Sequence, residues 1–391
     1  MKIRYVLNNA YVTGGTIRTV LNQANALCAD HEVEVASVYR SRLEPSFDID
    51  PRVRLVPLTD MRSDGRRRTD PAGQPSRLLA RTRRYRNPLP HGLDFRYRDW
   101  DPVVDAALIR YFWAARSGVL ITTRPALNLM SAYFAPKRLI RVAQDHMNFG
   151  SYKRPLRNAI VRAYRRLDAV TVLTEHDLGD YRQALGGTGV RLARIPNGIP
   201  PVPQLTGVPE SKVLIAAGRL TRQKGFDLLI DAFAKVRARH PDWQLKIYGE
   251  GPLMADLRGR ITALGLTDSA HLPGVTNKLP EELSAAGLFV LSSRFEGLPM
   301  VLLEAMTLGL PAVAFDCPTG PAEIIENGRN GLLIPPKDTG ALADGICELI
   351  EDPDRRAAMR AAARESSTRY TMPAVRDLWE GLFADLAAAR A

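Results

Sequence analysis

The stretch RFEGLPMVLLEA, from Arg294 to Ala305, sets two glutamates, Glu296 and Glu304, eight residues apart around a Gly-Leu-Pro. Pro299 suits the first position of a helix, where its missing N–H would go unbonded in any case. The pattern therefore predicts a helix from about Pro299 to Leu308, with Glu296 in the loop before it and Glu304 in its second turn. The free amides of Met300 and Val301 at such a start form a ready anion site. One carboxylate would then stand on each side of a bound phosphate. A phosphate flanked by two hydroxyl-bearing groups is the chemistry of a nucleotide sugar, and carboxylates accept strong hydrogen bonds from hydroxyls. A loop glutamate and a solvated helix glutamate would satisfy the same spacing.

A second cluster is GRLTRQKGF, residues 218–226, where Arg219 and Lys224 sit in a turn between an apolar run and a helix pattern. Two cations at a strand edge beside a helix start suit phosphate. The turn matches neither the Walker pattern nor Gly-x-Gly-x-x-Gly, and alone it reads equally as a solvated basic turn. In QDHMNFG, residues 144–150, Asp145 and His146 follow another apolar run. A lone histidine there is open to a structural or a site role. The Asp-x-Asp pairs DID (48–50) and DWD (99–101) lie in loop-like sequence, and no metal site is expected from them.

The elements that must position these groups alternate regularly. KIRYVLN, EVEVASV, GVLITT, RLIRVAQ and DAVTVLT are short apolar strands separated by helical patterns, the signature of a parallel α/β sheet. IPNGIPPVPQLTGVPE, residues 195–210, is rich in proline and reads as a linker. A second series follows, with strands KVLIAAG, QLKIYGE, AHLPGV, LFVLSS and PAVAFD and three helices at the end. The fold class expected is α/β, with two doubly wound Rossmann-like domains facing across a cleft. In such sheets ligands bind outside the carboxyl ends of the strands.

A length of 391 residues, 45% hydrophobic and 25% charged, fits two globular domains. No run approaches the roughly 20 apolar residues that cross a bilayer, and the start lacks the features of a signal peptide, so a cytoplasmic location is expected. Cys28, Cys317 and Cys347 form neither a disulfide framework nor a zinc pattern and read as buried small hydrophobes. The net charge of +12 is uneven: residues 1–206 hold 33 Lys and Arg against 18 Asp and Glu, and residues 207–391 hold 21 against 24. The excess concentrates in residues 61–98, read as a long insertion, and in 137–166. The latter includes RPLRNAIVRAYRRL, whose Leu156, Ile160, Val161 and Tyr164 recur at helical spacing among basic residues. Such a helix suits an anionic membrane or packs on its own sheet. An anionic partner or an arginine-biased composition accounts for the charge. No nucleic-acid motif accompanies it.

Taken in order, GGT (14–16), IPNG (195–198), GRLTRQKG, YGEGP (248–252), FEGLPMVLLEA and NGLLIPPKD (330–338) resemble the retaining GT-B glycosyltransferases of family 4. The resemblance is densest over 195–340. It implies a domain of residues 1–198 on the acceptor side, a linker at 199–210, a nucleotide-sugar-binding domain at 211–372, and a helix at 373–391 returning to the first domain. It also implies that Arg219 and Lys224 bind the donor diphosphate, that Glu296 holds the transferred sugar, and that Glu304 holds the ribose. Backbone amides of Gly297, Leu298, Met300 and Val301 would touch sugar or phosphate. Gly14 and Gly15 would let a loop approach the diphosphate, His146 would face the sugar, and Val275 would lie near the base. The implied activity is retaining transfer from a nucleotide sugar, UDP-sugar foremost, to a hydroxyl acceptor such as a glycan, lipid-linked saccharide, wall polymer or natural product. The basic first half adds an anionic or lipid-linked acceptor and peripheral membrane contact to the expectation. No cofactor and no metal would be required for the chemistry. A UDP-sugar epimerase of similar build, or a non-catalytic nucleotide-sugar binder, is the alternative. The Glu-x7-Glu pair together with Arg219 and Lys224 argues against the epimerase, and a binder would show no turnover with any acceptor.

Overall fold

The computed structural model describes residues 1–62, 90–94, 100, 102–202 and 211–390. Most of the arginine-rich stretch 61–98, including Arg66, Arg67, Arg68, Arg83 and Arg84, lies outside the described residues, as do Asp99, Asp101 and linker residues 203–210. The chain divides into two compact units, Met1–Gly198 with Met372–Ala391, and Ile199–Thr371.

The first unit runs β1 (Lys2–Asn9), α1 (Gly15–Leu27), β2 (Glu32–Arg40), β3 (Arg54–Asp60), α2 (Pro102–Ala114), β4 (Val119–Thr123), α3 (Pro125–Phe134), β5 (Ile140–Gln144), α4 (Arg154–Tyr164), β6 (Ala169–Val172), α5 (Glu175–Leu185) and β7 (Arg191–Arg194). Its seven strands are all parallel in the order β3-β2-β1-β4-β5-β6-β7. Strands such as β4 and β6 are buried along their whole length, because helices cover both faces of a parallel sheet. One face is closed by α1 together with the last helix of the chain, α13 (Met372–Ala388). Val375, Trp379, Leu382 and Phe383 of α13 enter the same core as Val20, Leu21 and Tyr5.

The second unit repeats the plan with β8 (Val213–Ala217), α6 (Phe226–Arg239), β9 (Gln244–Tyr248), α7 (Met254–Ala263), β10 (Ala270–Gly274), α8 (Leu279–Ser284), β11 (Leu288–Leu291), α9 (Met300–Thr307), β12 (Ala312–Phe315), α10 (Pro321–Ile324), β13 (Gly331–Ile334), α11 (Thr339–Glu351) and α12 (Pro353–Ser367). The six strands are parallel in the order β10-β9-β8-β11-β12-β13. Helix α6 shows why the sequence folds this way. Leu229, Ile230, Phe233 and Val236 recur at helical spacing and are all buried. Asp227 in its first turn and Arg237 and Arg239 in its last turn complement the helix dipole. In each sheet the strand order reverses beside the first strand, and the crevice at that point is where doubly wound sheets bind ligands.

The structure decides between the two readings of helix α4. Leu156, Ile160 and Tyr164 are buried in the core of the first unit. Its apolar face is therefore taken by its own sheet and is not free to lie in a bilayer. Its basic face is another matter: Arg154, Arg162 and Arg165 are exposed, Arg157 half-buried, and none has a carboxylate partner among the described residues.

Candidate functional site

In the second unit the switch point lies between β8 and β11, and the loops after these two strands carry the charged residues. After β8 the chain turns through Gly218 and a short 3-10 turn, Arg222–Lys224, to Gly225 in the left-handed region at φ 64°. A Cβ at Gly225 would lie 2.0 Å from the Ser292 carbonyl oxygen, so only glycine fits. The Ser292 hydroxyl donates to the Lys224 carbonyl at 3.0 Å, and the Arg294 amide donates to the Gln223 carbonyl at 2.8 Å. Arg294 also grips Asp227 through two bonds of 2.8 and 2.6 Å and the Arg222 carbonyl at 2.8 Å. These contacts fasten the two loops together, and Arg294 holds the Asp227 carboxyl below its ordinary range. The YGEGP motif completes the platform. Cβ atoms on Gly249 and Gly251 would meet the carbonyl oxygens of Gly218 and Leu220 at 1.9 and 2.4 Å. Those glycines let one turn lie directly on the other.

The fastened loops bring Lys224 Nζ to 2.6 Å from Glu296 Oε1. The Ser293 hydroxyl donates to the same oxygen at 2.5 Å. The Glu296 side chain is 7% exposed and that of Lys224 is 19% exposed. Arg219 is exposed and has no ionic partner among the described residues. Burial, and then the negative charge of Glu296, push the nearby Cys317 thiol up to about 12, which leaves it inert beside the pair.

Pro299 stands one position earlier than the spacing predicts. It is the N-cap of α9, with extended ψ, and Met300 is the first helical residue. The Leu302 and Leu303 amides donate to the Pro299 carbonyl, while those of Met300 and Val301 lie at the helix start, where no intrahelical acceptor exists. Glu304 is buried in the second turn. The loop before the helix is pinned by Glu296 N–H to the Pro318 carbonyl at 2.8 Å and by Thr319 N–H to the Glu296 carbonyl at 2.9 Å. Gly297 and the buried Leu298 lie within it. One end of this unit thus joins a partly free cation, helix-start amides and two buried carboxylates. That set can bind an anion and accept hydrogen bonds from hydroxyls. Val275 is 69% exposed, just past the end of the edge strand β10.

In the first unit, Gly14 is the N-cap of α1 and Gly15 its first residue. A Cβ on Gly15 would meet nothing, and one on Gly14 only Ile17 at 3.5 Å. The fold itself therefore does not require glycine at either position. His146 follows β5 and is 8% exposed. Burial, reinforced by Arg124, lowers its pKa to about 3 and keeps the imidazole neutral, and its Nε2 has no hydrogen-bond partner among the described residues. The neighbouring Asp145 is buried and accepts from the hydroxyls of Tyr152 and Tyr181. Burial raises its carboxyl to about 6 against the tyrosine bonds that lower it. Asp50 of DID is paired with Arg52 at 2.8 Å.

Sequence reasoning missed Ser293, the Arg294–Asp227 clamp and the Asp145–Tyr152–Tyr181 network. Their partners are 36 to 67 residues away in the long-range cases. The short steps, three residues from Ser293 to Glu296 and seven from Asp145 to Tyr152, are the local ones.

Two doubly wound parallel sheets, one bearing a cationic turn beside a carboxylate-flanked helix start, define a two-unit, Rossmann-like α/β class. Residues 203–366 match the family model described as glycosyl transferases group 1. The amylovoran biosynthesis glycosyltransferase AmsD of Erwinia amylovora is 30% identical over 285 residues, covering 70% of this chain and 80% of that protein. An exopolysaccharide phosphotransferase of Streptomyces coelicolor is 38% identical over 402 residues and covers all of this chain, but the chain spans only 41% of that relative's length. Among solved structures, TarM of S. aureus superposes with a TM-score of 0.77 at 17% identity over 98% of this chain and 99% of its own. HepE of Anabaena, determined with UDP and glucose, gives 0.73 at 20% identity over 98% and 100%. The chain belongs to the glycosyl transferases group 1 family, and its fold is GT-B.

Proposed function

We propose that this chain is a retaining glycosyltransferase of family 4 type, moving a sugar from a UDP-sugar to a hydroxyl acceptor. The observation that carries the reading is the Lys224–Glu296–Ser293 cluster beside the start of α9. In this reading Arg219, Lys224 and the Met300 and Val301 amides hold the diphosphate, with the Gly297 and Leu298 amides beside it. Glu296 accepts from the transferred sugar's hydroxyls, and Glu304 from the ribose. Gly14 and Gly15 are assigned to the diphosphate, because their side-chain space is empty and the fold has no need of it. Neutral His146 is assigned to the sugar, and Val275 to the base region.

The cluster offers no free nucleophile, since the Glu296 carboxylate is held by a cation and a hydroxyl. The chemistry proposed is front-face attack: the acceptor oxygen bonds to the anomeric carbon on the side the diphosphate leaves. The acceptor proton passes to the departing phosphate oxygen. Arg219, Lys224 and the helix-start amides stabilise the charge that develops there. No metal is assigned a role in the transfer. One relative is named an amylovoran biosynthesis glycosyltransferase and another an exopolysaccharide phosphotransferase, which supports a glycan acceptor. The exposed basic face of α4 suits an anionic or lipid-linked one at the inner face of a membrane. No helix among the described residues is long and apolar enough to cross a membrane.

The test is a thermal-shift screen across nucleotide sugars, followed by UDP release with glycan acceptors in EDTA. A donor at a hundred times its Kd stabilises by about 2.7 kcal/mol. Absence of any shift overturns the reading. Interconversion of the donor sugar without acceptor would mark an epimerase instead.

A further inference from the structure

Among the described residues, one group away from the donor turn brings three metal-binding side chains together. His240 is the C-cap residue of α6, and Cys347 and Glu351 stand four apart on α11. The i,i+4 spacing puts thiol and carboxylate on one face of the helix. The imidazole, the sulfur and a carboxylate oxygen all lie within 4.8 Å of one another, and His240 Nε2 is 3.0 Å from Glu351 Oε1. The histidine backbone is held on both sides, its N–H donating to the Val236 carbonyl at 2.8 Å and its carbonyl accepting from Trp243 at 3.2 Å.

We propose that His240, Cys347 and Glu351 bind a zinc-class divalent cation that ties the C-terminal end of α6 to α11. A histidine–glutamate ion pair alone has no use for a thiol. Thiolate, imidazole and carboxylate together are the donor set that zinc accepts, whereas calcium and magnesium take oxygen ligands. Zinc bonds of about 2.0–2.3 Å require the ligand atoms to close by only about an ångström, which side-chain rotation supplies. Cys347 loses its proton to solvent as the metal–sulfur bond forms. His240 contributes the Nε2 lone pair. Glu351 is released by Arg239, which now bonds it at 3.0 Å and keeps Asp344 at 3.1 Å. Glu351 is exposed, His240 half-buried and Cys347 buried at the core edge, so solvent reaches the site from the histidine and glutamate side and water takes the fourth position. The ion would clamp the far end of the helix that begins at Gly225, next to Lys224, without entering the transfer chemistry. The inference is therefore independent of the donor reading.

The probe is Co²⁺ added to the tag-free full chain after chelation and desalting. The expected result is saturation at one equivalent, with a near-ultraviolet thiolate-to-cobalt band and visible bands of four-coordinate intensity, all displaced by Zn²⁺. His240→Gln and Glu351→Gln, at sites open to solvent, should each weaken Co²⁺ binding by at least about tenfold. Cys347→Ser should abolish the near-ultraviolet band. The proposal is overturned by absence of a saturable thiolate band, or by a band that survives Cys347→Ser and disappears with Cys28→Ser or Cys317→Ser. Should the serine variant at the buried position 347 not fold, unchanged Co²⁺ affinity in both glutamine variants overturns it equally.

Discussion

Replacing Lys224 with alanine has two separable consequences. The first is on donor binding. A charge-assisted contact to a diphosphate contributes about 1.5–3 kcal/mol, so affinity for UDP should fall on the order of tenfold to a hundredfold. The second is on the apo protein. Glu296 loses its cation and keeps the Ser293 hydroxyl at 2.5 Å while remaining 6% exposed. Removing one partner of a buried pair costs roughly 3–5 kcal/mol. The 19% exposure of the lysine side chain, and the room its loss leaves for water, place this case at the low end. The double variant Lys224→Ala, Glu296→Gln removes the buried negative charge that the lysine neutralised. It should recover most of the stability and none of the UDP affinity. Calorimetric titration with UDP and thermal unfolding, run on wild type, Lys224→Ala and the double variant, read both quantities. Unchanged UDP affinity in Lys224→Ala would refute the phosphate assignment. Recovery of affinity along with stability in the double variant would show that the lysine acts only by neutralising Glu296.

Gly15→Ala should leave thermal stability unchanged or slightly raised, since its Cβ meets nothing, yet reduce turnover with nucleotide sugar. Gly225→Ala should instead lower stability by about 1–3 kcal/mol, because the backbone there is left-handed and the Ser292 carbonyl occupies the space. Asp145 is raised from 3.8 to about 6 in the folded chain. The folded state therefore holds a proton that the unfolded state has released, and its contribution, full below pH 4, is lost as pH rises through 6. Denaturant unfolding of Asp145→Asn between pH 4 and 7 should lack that decline; an identical slope in wild type would contradict it. Changing Arg154, Arg157, Arg162 and Arg165 to serine should weaken co-sedimentation with anionic vesicles, at about 1 kcal/mol per residue. The wild-type binding should fade with salt, and absence of vesicle binding at any salt would remove the membrane version.

The strand and helix pattern was legible because buried parallel strands leave short continuous apolar runs, such as LFVL in β11. What a run or a stripe packs against was not. Periodicity marks Leu156, Ile160 and Tyr164 as one face of α4, but nothing local tells a sheet from a membrane as the surface that covers it. The charged residues behave similarly. Lys224 and Glu296 are 72 residues apart, and composition alone does not pair them. Tyr181 reaches Asp145 from 36 residues away through tertiary packing. Some motif residues that draw the eye serve the fold: Gly198 of IPNG faces Met372, where a Cβ would lie 2.3 Å from its sulfur. Asn330 turns inward to accept from the Glu326 amide and to donate to the Ile324 carbonyl. The N-cap position of Pro299 shifts the helix start by one residue, a difference that the proline rule cannot resolve.

The division of labour between the two glutamates is the centre of the account, and calorimetry with paired ligands tests it most directly. UDP and a UDP-sugar are titrated into wild type, Glu296→Gln and Glu304→Gln. Glu304→Gln should weaken both ligands alike, since the ribose is common to them. Glu296→Gln should leave UDP binding near wild type and weaken only the UDP-sugar. Equal losses of UDP affinity in the two variants, or no binding of either ligand to the wild-type chain, would contradict the assignment.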